Sequence, residues 1–211
     1  MKRLLLLALL LTAGIGFSQN LEKDTIQLPE VRINNTPPEK AKVVKTRFSS
    51  LCVNSDALFY DEMVTLVTSL PKDGYISSVT FSFNETPRNE FYNYKDTELL
   101  LVFYEVDASG KPGAAIGLPV PFTLKADFSG KMELMVPYGD AKNPGKFFVG
   151  LRRVKPRTVT DIDFEVHTLC ALGKKHSMYK RGQRTNQQWY AGEDSHHPFK
   201  MTIKEIVLPT K

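Results

Sequence analysis

The feature that most limits how this chain can fold is a period of two in its apolar residues, repeated along most of its length. Val79, Phe81 and Phe83 alternate with Ser78, Thr80 and Ser82, and Met132, Leu134 and Val136 form a second alternating run. Phe147, Val149 and Leu151 make a third, while Phe164, Val166 and Thr168 set Glu165 and His167 on the opposite side. Successive side chains of an extended strand point to opposite faces, so each run describes a strand with one apolar face. Glu98 to Val106 (ELLLVFYEV) is richer and predicts a strand buried on both faces. Phe199 to Leu208 (FKMTIKEIVL) is a last strand, with a break in its alternation near Glu205. Turn-forming residues separate the runs at 71–74, 107–113, 127–130 and 143–145. No segment carries a sustained helical stripe. Short strands with turns at this spacing predict an all-β fold, a single β-sandwich of jelly-roll type spanning residues 51–211.

Composition agrees with one core. The chain has 211 residues, 42% of them hydrophobic and 10% aromatic, with 13 Gly and 13 Pro and no repeat unit. Those figures exclude a wholly disordered chain, a collagen-like fibre and a polytopic membrane protein.

Two segments precede the sandwich. Lys2 and Arg3 followed by the apolar Leu4–Ile15 and the small residues Gly16 and Ser18 read as a signal peptide, residues 1–18, cleaved before Gln19. The apolar stretch is shorter than the roughly 20 residues a spanning helix needs, so no transmembrane anchor is expected after cleavage. Residues 19–50 read as an amino-terminal arm. Within it TIQLPEVRI (25–33) is strand-like, with Pro29 confining it to an edge, and NNTPPEKAK (34–42) reads as a linker. Asp24-Thr25-Ile26 resembles a short acceptor motif for protein O-glycosylation, which would place a glycan on Thr25. With Lys2 and Arg3 removed, 26 basic residues face 23 acidic ones, a net +3. That charge is mildly basic and, with export, excludes a dedicated nucleic-acid binder.

Cys52 and Cys170 are the only cysteines. Paired, they would close a loop of over a hundred residues and stabilise the fold by about 4–5 kcal/mol in the chain-entropy model. Left free, each would serve as a small buried hydrophobe. The residues around them suit both readings.

Motifs that would announce catalysis are missing: no G-x-S-x-G, H-E-x-x-H, phosphate-cradling glycine loop or C-x-x-C occurs. Cys170 with His167 or His176 makes a poor thiol–imidazole pair, because a spacing of three in a strand sends the first two side chains to opposite faces. Glu193-Asp194-Ser195-His196-His197 holds potential metal ligands, yet adjacent histidines diverge in extended chain, so the segment reads as a polar loop and no metal or other cofactor is expected. Asp107 and Ser109 are explained by a hairpin turn.

The constellation with most chemical content is basic and aromatic. Lys174, Lys175, Lys180, Arg181 and Arg184 fall in one acid-free stretch with Tyr179 inside it and Trp189 and Tyr190 just beyond. Arg152, Arg153, Lys155 and Arg157 form a second acid-free cluster. Cationic side chains suit the phosphate or carboxylate of an anionic glycan or lipid head group, and exposed aromatic faces suit sugar rings or a protein interface. Solvated basic loops with the single Trp in the core are the plainer reading of the same residues.

The run from Tyr75 to Val154 contains ISSVTFSF, then LLLVFYEVDASGKPG, a polar-to-apolar strand and KFFVGLRRV, and the pattern resumes at Gln188-Trp189-Tyr190 and PFKMTIKEI. In this it resembles a recurrent group of exported proteins of Bacteroidota-type bacteria, and LPEVRI is similar to short arms in such envelope proteins. The resemblance implies a jelly-roll body like carbohydrate-binding or galactose-binding-like modules, of the kind associated with carboxypeptidase-regulatory-like envelope proteins. It implies an address in the periplasm or at the cell surface, and it brings no catalytic residue with it. The expectation is therefore a non-catalytic exported module that binds an envelope glycan through Lys174, Lys175, Tyr179, Lys180, Arg181, Arg184, Trp189 and Tyr190. The alternative is an accessory subunit of an envelope protein complex, with the arm adding to a partner's sheet edge.

Overall fold

The structure is a computed structural model, and it describes residues 41–50, 52–57, 60–70, 74–84, 96–126, 128–156, 165–169, 178–182, 185–191 and 197–208. The chain divides into two units, residues 1–32 and 33–211. The expected signal peptide and Thr25 lie outside the described residues, all of which belong to the second unit.

The strands are β1 (Lys42–Phe48), β2 (Val53–Ala57), β3 (Glu62–Val67), β4 (Gly74–Asn84), β5 (Thr97–Val106) and β6 (Pro112–Ala115), followed by β7 (Val120–Leu124), β8 (Gly130–Met135), β9 (Phe147–Arg153), β10 (Glu165–Leu169), β11 (Met178–Arg181) and β12 (Met201–Val207). They form two antiparallel sheets. The first has the order β1-β12-β4-β10-β2, with β8 on the other side of β4; the second has the order β11-β3-β9-β5-β6, with β7 also on β5. The chain crosses between the sheets at most of its connections, as a jelly roll does. No α-helix occurs among the described residues, and none there is long and apolar enough to cross a membrane.

The two sheets enclose one apolar core. Ile76, Val79, Phe81, Phe83, Val166, Met201 and Ile203 enter it from the first sheet, and Met63, Val67, Leu99, Leu101, Phe103, Val149 and Leu151 from the second. Phe81 meets Phe199 edge to face at 5.4 Å between ring centroids. The backbone N–H of Phe199 donates to Thr65 Oγ1 at 3.0 Å, a polar link between the layers.

The irregularity expected near Glu205 is a β-bulge. Lys204 pairs with Ser78 and Glu205 with Ile76, so Ser77 is an extra residue on β4. Ile76 and Val79, three residues apart, therefore both face inward. The bulge also leaves Glu205 fully buried, where Asn143 Nδ2 donates to its Oε1 at 2.6 Å and its Oε2 has no hydrogen-bond partner.

The sheets differ in their outer faces. That of the first is polar, with Ser78 donating to Glu133 and Lys204 pairing with the same carboxylate at 2.7 Å. The second is apolar inside and carries an apolar cluster beside a row of charged residues outside. β5 is buried on both faces as its composition predicts; β9, which reads as an alternating strand, is buried on both faces as well. Val64, Val102, Tyr104, Phe148 and Tyr179 make a second cluster on this outer face, with Trp189 packed against it.

Two elements lie where the sequence suggests otherwise. β1 falls inside the segment assigned to the arm, yet it pairs with β12 from Lys42 opposite Val207 to Phe48 opposite Met201. β11 falls inside the stretch read as a basic loop, and it pairs with β3. Its four residues are too few for a visible period, and tertiary pairing decides them.

Cys52, just before β2, is disulfide-bonded. Its expected partner, Cys170, lies outside the described residues; the β2–β10 ladder ends with Val53 opposite Leu169, one residue from each cysteine.

Candidate functional site

The site is built on the outer face of the second sheet. Register places Arg181 of β11 opposite Glu62 of β3, Glu62 opposite Arg152 of β9, and Arg152 opposite Leu100 of β5. A row of alternating charge thus crosses three strands. Two residues along, Tyr179, Val64, Gly150 and Val102 form the next row, and Leu66, Phe148 and Tyr104 the one after.

Glu62 is the centre of this arrangement. It is 1% exposed, and a buried carboxylate is tolerated only where charge and hydrogen bonds compensate it. Arg181 Nε donates to Oε2 at 2.6 Å, and the Tyr104 hydroxyl donates to Oε1 at 2.5 Å. Arg181 Nη2 also donates to the Tyr104 hydroxyl at 3.2 Å, closing a three-membered network. Burial, and then the hydrogen bond to Glu62, push the Tyr104 phenol up to about 12.

A glycine lies between the two residues. Gly150 lies between Val64 and Val102; Tyr104 is two residues beyond Val102 and Glu62 two residues before Val64. Gly150 therefore occupies the midpoint of the diagonal from Tyr104 to Glu62. A Cβ there would stand 2.0 Å from the Met63 carbonyl oxygen and 2.6 Å from Val64 Cα, so only glycine fits.

Trp189 covers the network. The Arg181 guanidinium carbon lies 4.4 Å from the centre of the indole, and Tyr104 meets the indole edge to face at 5.6 Å. The loop leading to Trp189 is tightly hydrogen-bonded. Gly182 N–H donates to Thr185 Oγ1, and the N–H groups of Thr185 and Gln187 both donate to the Gly182 carbonyl. Asn186 and Gln187 adopt left-handed backbone with φ of 49° and 60°, a conformation costing of order 1 kcal/mol for a residue such as Gln. Lys180 and Tyr190 then exchange two backbone hydrogen bonds, of 2.9 and 2.8 Å, which tie the segment to β11.

The structure separates the residues singled out in the sequence. Arg181 and Trp189 come together on the outer face. Tyr179 is buried against Phe148, 5.4 Å between ring centroids, and is part of the packing and not of an open surface. Lys180 is 7% exposed, with Nζ 5.4 Å from the centre of the Tyr60 ring, because strand alternation turns it away from Arg181. Tyr190 is half exposed, but the bridge places it on the Lys180 side, so it does not share a face with Trp189. Lys174, Lys175 and Arg184 lie outside the described residues. The second basic cluster is also divided: Arg152 lies on the outer face, Arg153 is buried, and Lys155 is exposed beside Glu98 at 3.5 Å; Arg157 lies outside the described residues.

The remaining candidates resolve more simply. Asp107 Oδ1 accepts from Ser109 N–H, Ser109 Oγ and Lys111 N–H, each at 2.8 Å, so the carboxylate is the organiser of the β5–β6 turn. Of the segment 193–197 only His197 is described, and His176 lies outside the described residues, as does Cys170.

Sequence reasoning missed Glu62, Tyr104 and Gly150. Alternation within EMVTLV would group Glu62 with Val64 and Leu66 on one face. No local signal names Arg181, which is more than a hundred positions away, as the partner of Glu62.

No family model and no curated protein matches the chain. Solved structures share its fold. One contains the cysteine protease and lectin-like domains of Cwp84, a surface layer associated protein of Clostridium difficile, with a TM-score of 0.51 and 9% identity over 82% of this chain and 37% of that one. Another is the clostridial Cwp84 cysteine protease after propeptide cleavage, with a TM-score of 0.52 and 10% identity over 82% of this chain and 41% of that one. The chain thus spans about two-fifths of the length of these structures. The likeness is one of fold: a β-sandwich found in a chain that includes a lectin-like domain.

Proposed function

We propose that this chain is an exported, non-catalytic β-sandwich module that binds glycan at the cell envelope, through the surface formed by Trp189 and Arg181. The observation that carries the reading is the immobilised indole. Trp189 is partly exposed and held by the Arg181 guanidinium and by a T-shaped contact with the Tyr104 ring, which would fix the indole as a stacking surface for a sugar ring. The acid beside it is fully engaged: Arg181 and Tyr104 occupy both oxygens of Glu62, so this carboxylate serves architecture and not proton transfer. A fold shared with a chain containing a lectin-like domain supports the ligand class by analogy.

Capture of the purified protein on separated envelope polysaccharides tests the proposal. At least one polysaccharide should retain it, and Trp189→Ala, with its strand signal in circular dichroism preserved, should lose about tenfold in affinity, the ordinary cost of truncating an aromatic anchor. Retention by none, or equal retention of the variant, would refute it.

A second reading, an accessory subunit of an envelope complex, is favoured by β1. It ends its sheet among the described residues and leaves Val43 60% exposed, an edge on which a partner strand can add. Capture of one envelope protein by the whole chain, lost in Val43→Lys with the fold retained, would support it.

A further inference from the structure

We infer that the outer face of the first sheet docks on an anionic lipid surface, with Lys45, Arg47, Lys131 and Lys200 on lipid phosphates and Val43 and Met135 at the head-group boundary. The inference goes beyond the glycan-binding reading and does not depend on it.

The first ground is charge. Regular pairing of β1 with β12 puts Lys45 opposite Lys204 and Arg47 opposite Thr202. β4 carries both rows on, through Ser78 to Met135 and through Thr80 to Glu133. Lys131 lies opposite Ser82 on the same face, and Lys200, between the buried Phe199 and Met201, points outward with Thr202. Two acids share the face, Glu133 and Glu165, the second opposite Asn84. Glu133 is already engaged, by Lys204 at 2.7 Å and by the Ser78 hydroxyl at 2.6 Å, and these contacts hold its carboxyl below the usual carboxylate range. Lys45, Arg47 and Lys131 are exposed, and neither they nor Lys200 make an ion pair among the described residues. Lys45 opposite Lys204 is a like-charge pair, which weakens a ladder unless an anion lies over it.

The second ground is the apolar edge of the same face. Val43 is 60% exposed and Met135 65%. Val43, Ile206 and Tyr75 form the row beside Lys45 and Lys204, and the Tyr75 ring lies 5.1 Å from that of Tyr138. Exposed aliphatic side chains beside a row of cations gain nothing from an acidic polymer in water. They fit a lipid boundary, where tyrosine rings sit at head-group level and binding grows with buried apolar area and with attraction to anionic lipids. The cations are spread over strands about 4.8 Å apart from neighbour to neighbour and do not converge, which suits a layer of phosphates and not a single one. Trp189 packs on the outer face of the second sheet, so a docked chain keeps that face in water.

Co-sedimentation of the whole protein with vesicles of phosphatidylglycerol and phosphatidylcholine, against vesicles of phosphatidylcholine alone, tests this. Lys45→Gln, Arg47→Gln and Lys131→Gln together remove charge from the face. Val43→Thr with Met135→Thr removes the apolar contacts and keeps strand-forming residues. Lys111→Gln, Lys125→Gln and Lys155→Gln together lose the same charge away from the face. The expected result is binding to the anionic vesicles alone, reduced about tenfold or more in the first variant and about threefold in the second. Binding should be unchanged in the third variant and in Trp189→Ala, each keeping its strand signal in circular dichroism. Lys45→Gln alone should lose about threefold, which repeats the test on a minimal change. No binding to anionic vesicles, or equal loss in the two triple variants, would overturn the inference. Full binding by the Val43 and Met135 variant would reduce it to ionic adsorption and overturn it as well. Retardation in an alginate gel without vesicle binding would make the face a polysaccharide site instead. Loss in Trp189→Ala alone would move the contact to the other sheet; glycan binding, read from its own capture assay, stands or falls separately.

Discussion

Glu62 and Arg181 face each other across the β3–β11 ladder and are joined by a 2.6 Å bond between Arg181 Nε and Glu62 Oε2. The acid is 1% exposed and the guanidinium 28%, so solvent screens the pair from one side only. Removing Arg181 alone strands a buried charge, whereas removing both charges does not. Arg181→Met should therefore cost about 3 kcal/mol, and adding Glu62→Gln should recover part of that loss. Urea denaturation of the double-mutant cycle measures both. Equal and additive losses would show that the pair contributes nothing as a pair.

Gly150→Ala should be far more harmful than an ordinary glycine replacement in a strand. The added methyl meets the Met63 carbonyl and Val64 Cα, both backbone, so neither can rotate away. A loss of about 3 kcal/mol is expected, at the upper end of overpacking costs. Wild-type stability in urea would disprove the close approach of β9 to β3.

Glu205 gives a pH signature of known sign. Burial raises its carboxyl above the ordinary 4.5, and the Asn143 hydrogen bond offsets this only in part. A raised value in the folded state means that the protonated acid is favoured by folding. Its contribution is fully present below pH 4.5 and is lost as pH rises through the folded value. Glu205→Gln, which cannot ionise, should flatten the fall in stability over that interval. An unchanged slope would place the titrating group elsewhere.

Cys52 is disulfide-bonded and the chain has one other cysteine. Thiol labelling of the unfolded, unreduced protein should therefore find neither Cys52 nor Cys170. Reduction should cost about 4 kcal/mol of stability, given the length of the loop closed. Labelling of both residues without reductant would contradict the bridge.

The strands were legible in the sequence wherever one face is wet. Val79, Phe81 and Phe83, or Met132 and Leu134, sort themselves by alternation alone, and the irregularity near Glu205 is a real bulge. β9 shows where the signal fails: Phe148 lies under the Trp189 cluster, so a strand that reads as one-sided is buried on both faces. The candidate site was half legible. Arg181 and Trp189 stand out by residue type, but whether a neighbour shares their face depends on strand parity, which turns Lys180 and Tyr190 to the other side. Glu62 was hidden because its partners come from β5 and β11, and long-range register leaves no local trace.

Trp189 is the only tryptophan in the chain, so selectively excited tryptophan emission reports on the proposed site. Titration with a polysaccharide that retains the protein, read by Trp189 emission and its quenching by acrylamide, is the most direct test. The account predicts a saturable change in Trp189 emission and reduced quenching on binding. Saturable binding, measured by calorimetry, that leaves emission and quenching of the wild type unchanged would place the ligand elsewhere and contradict it.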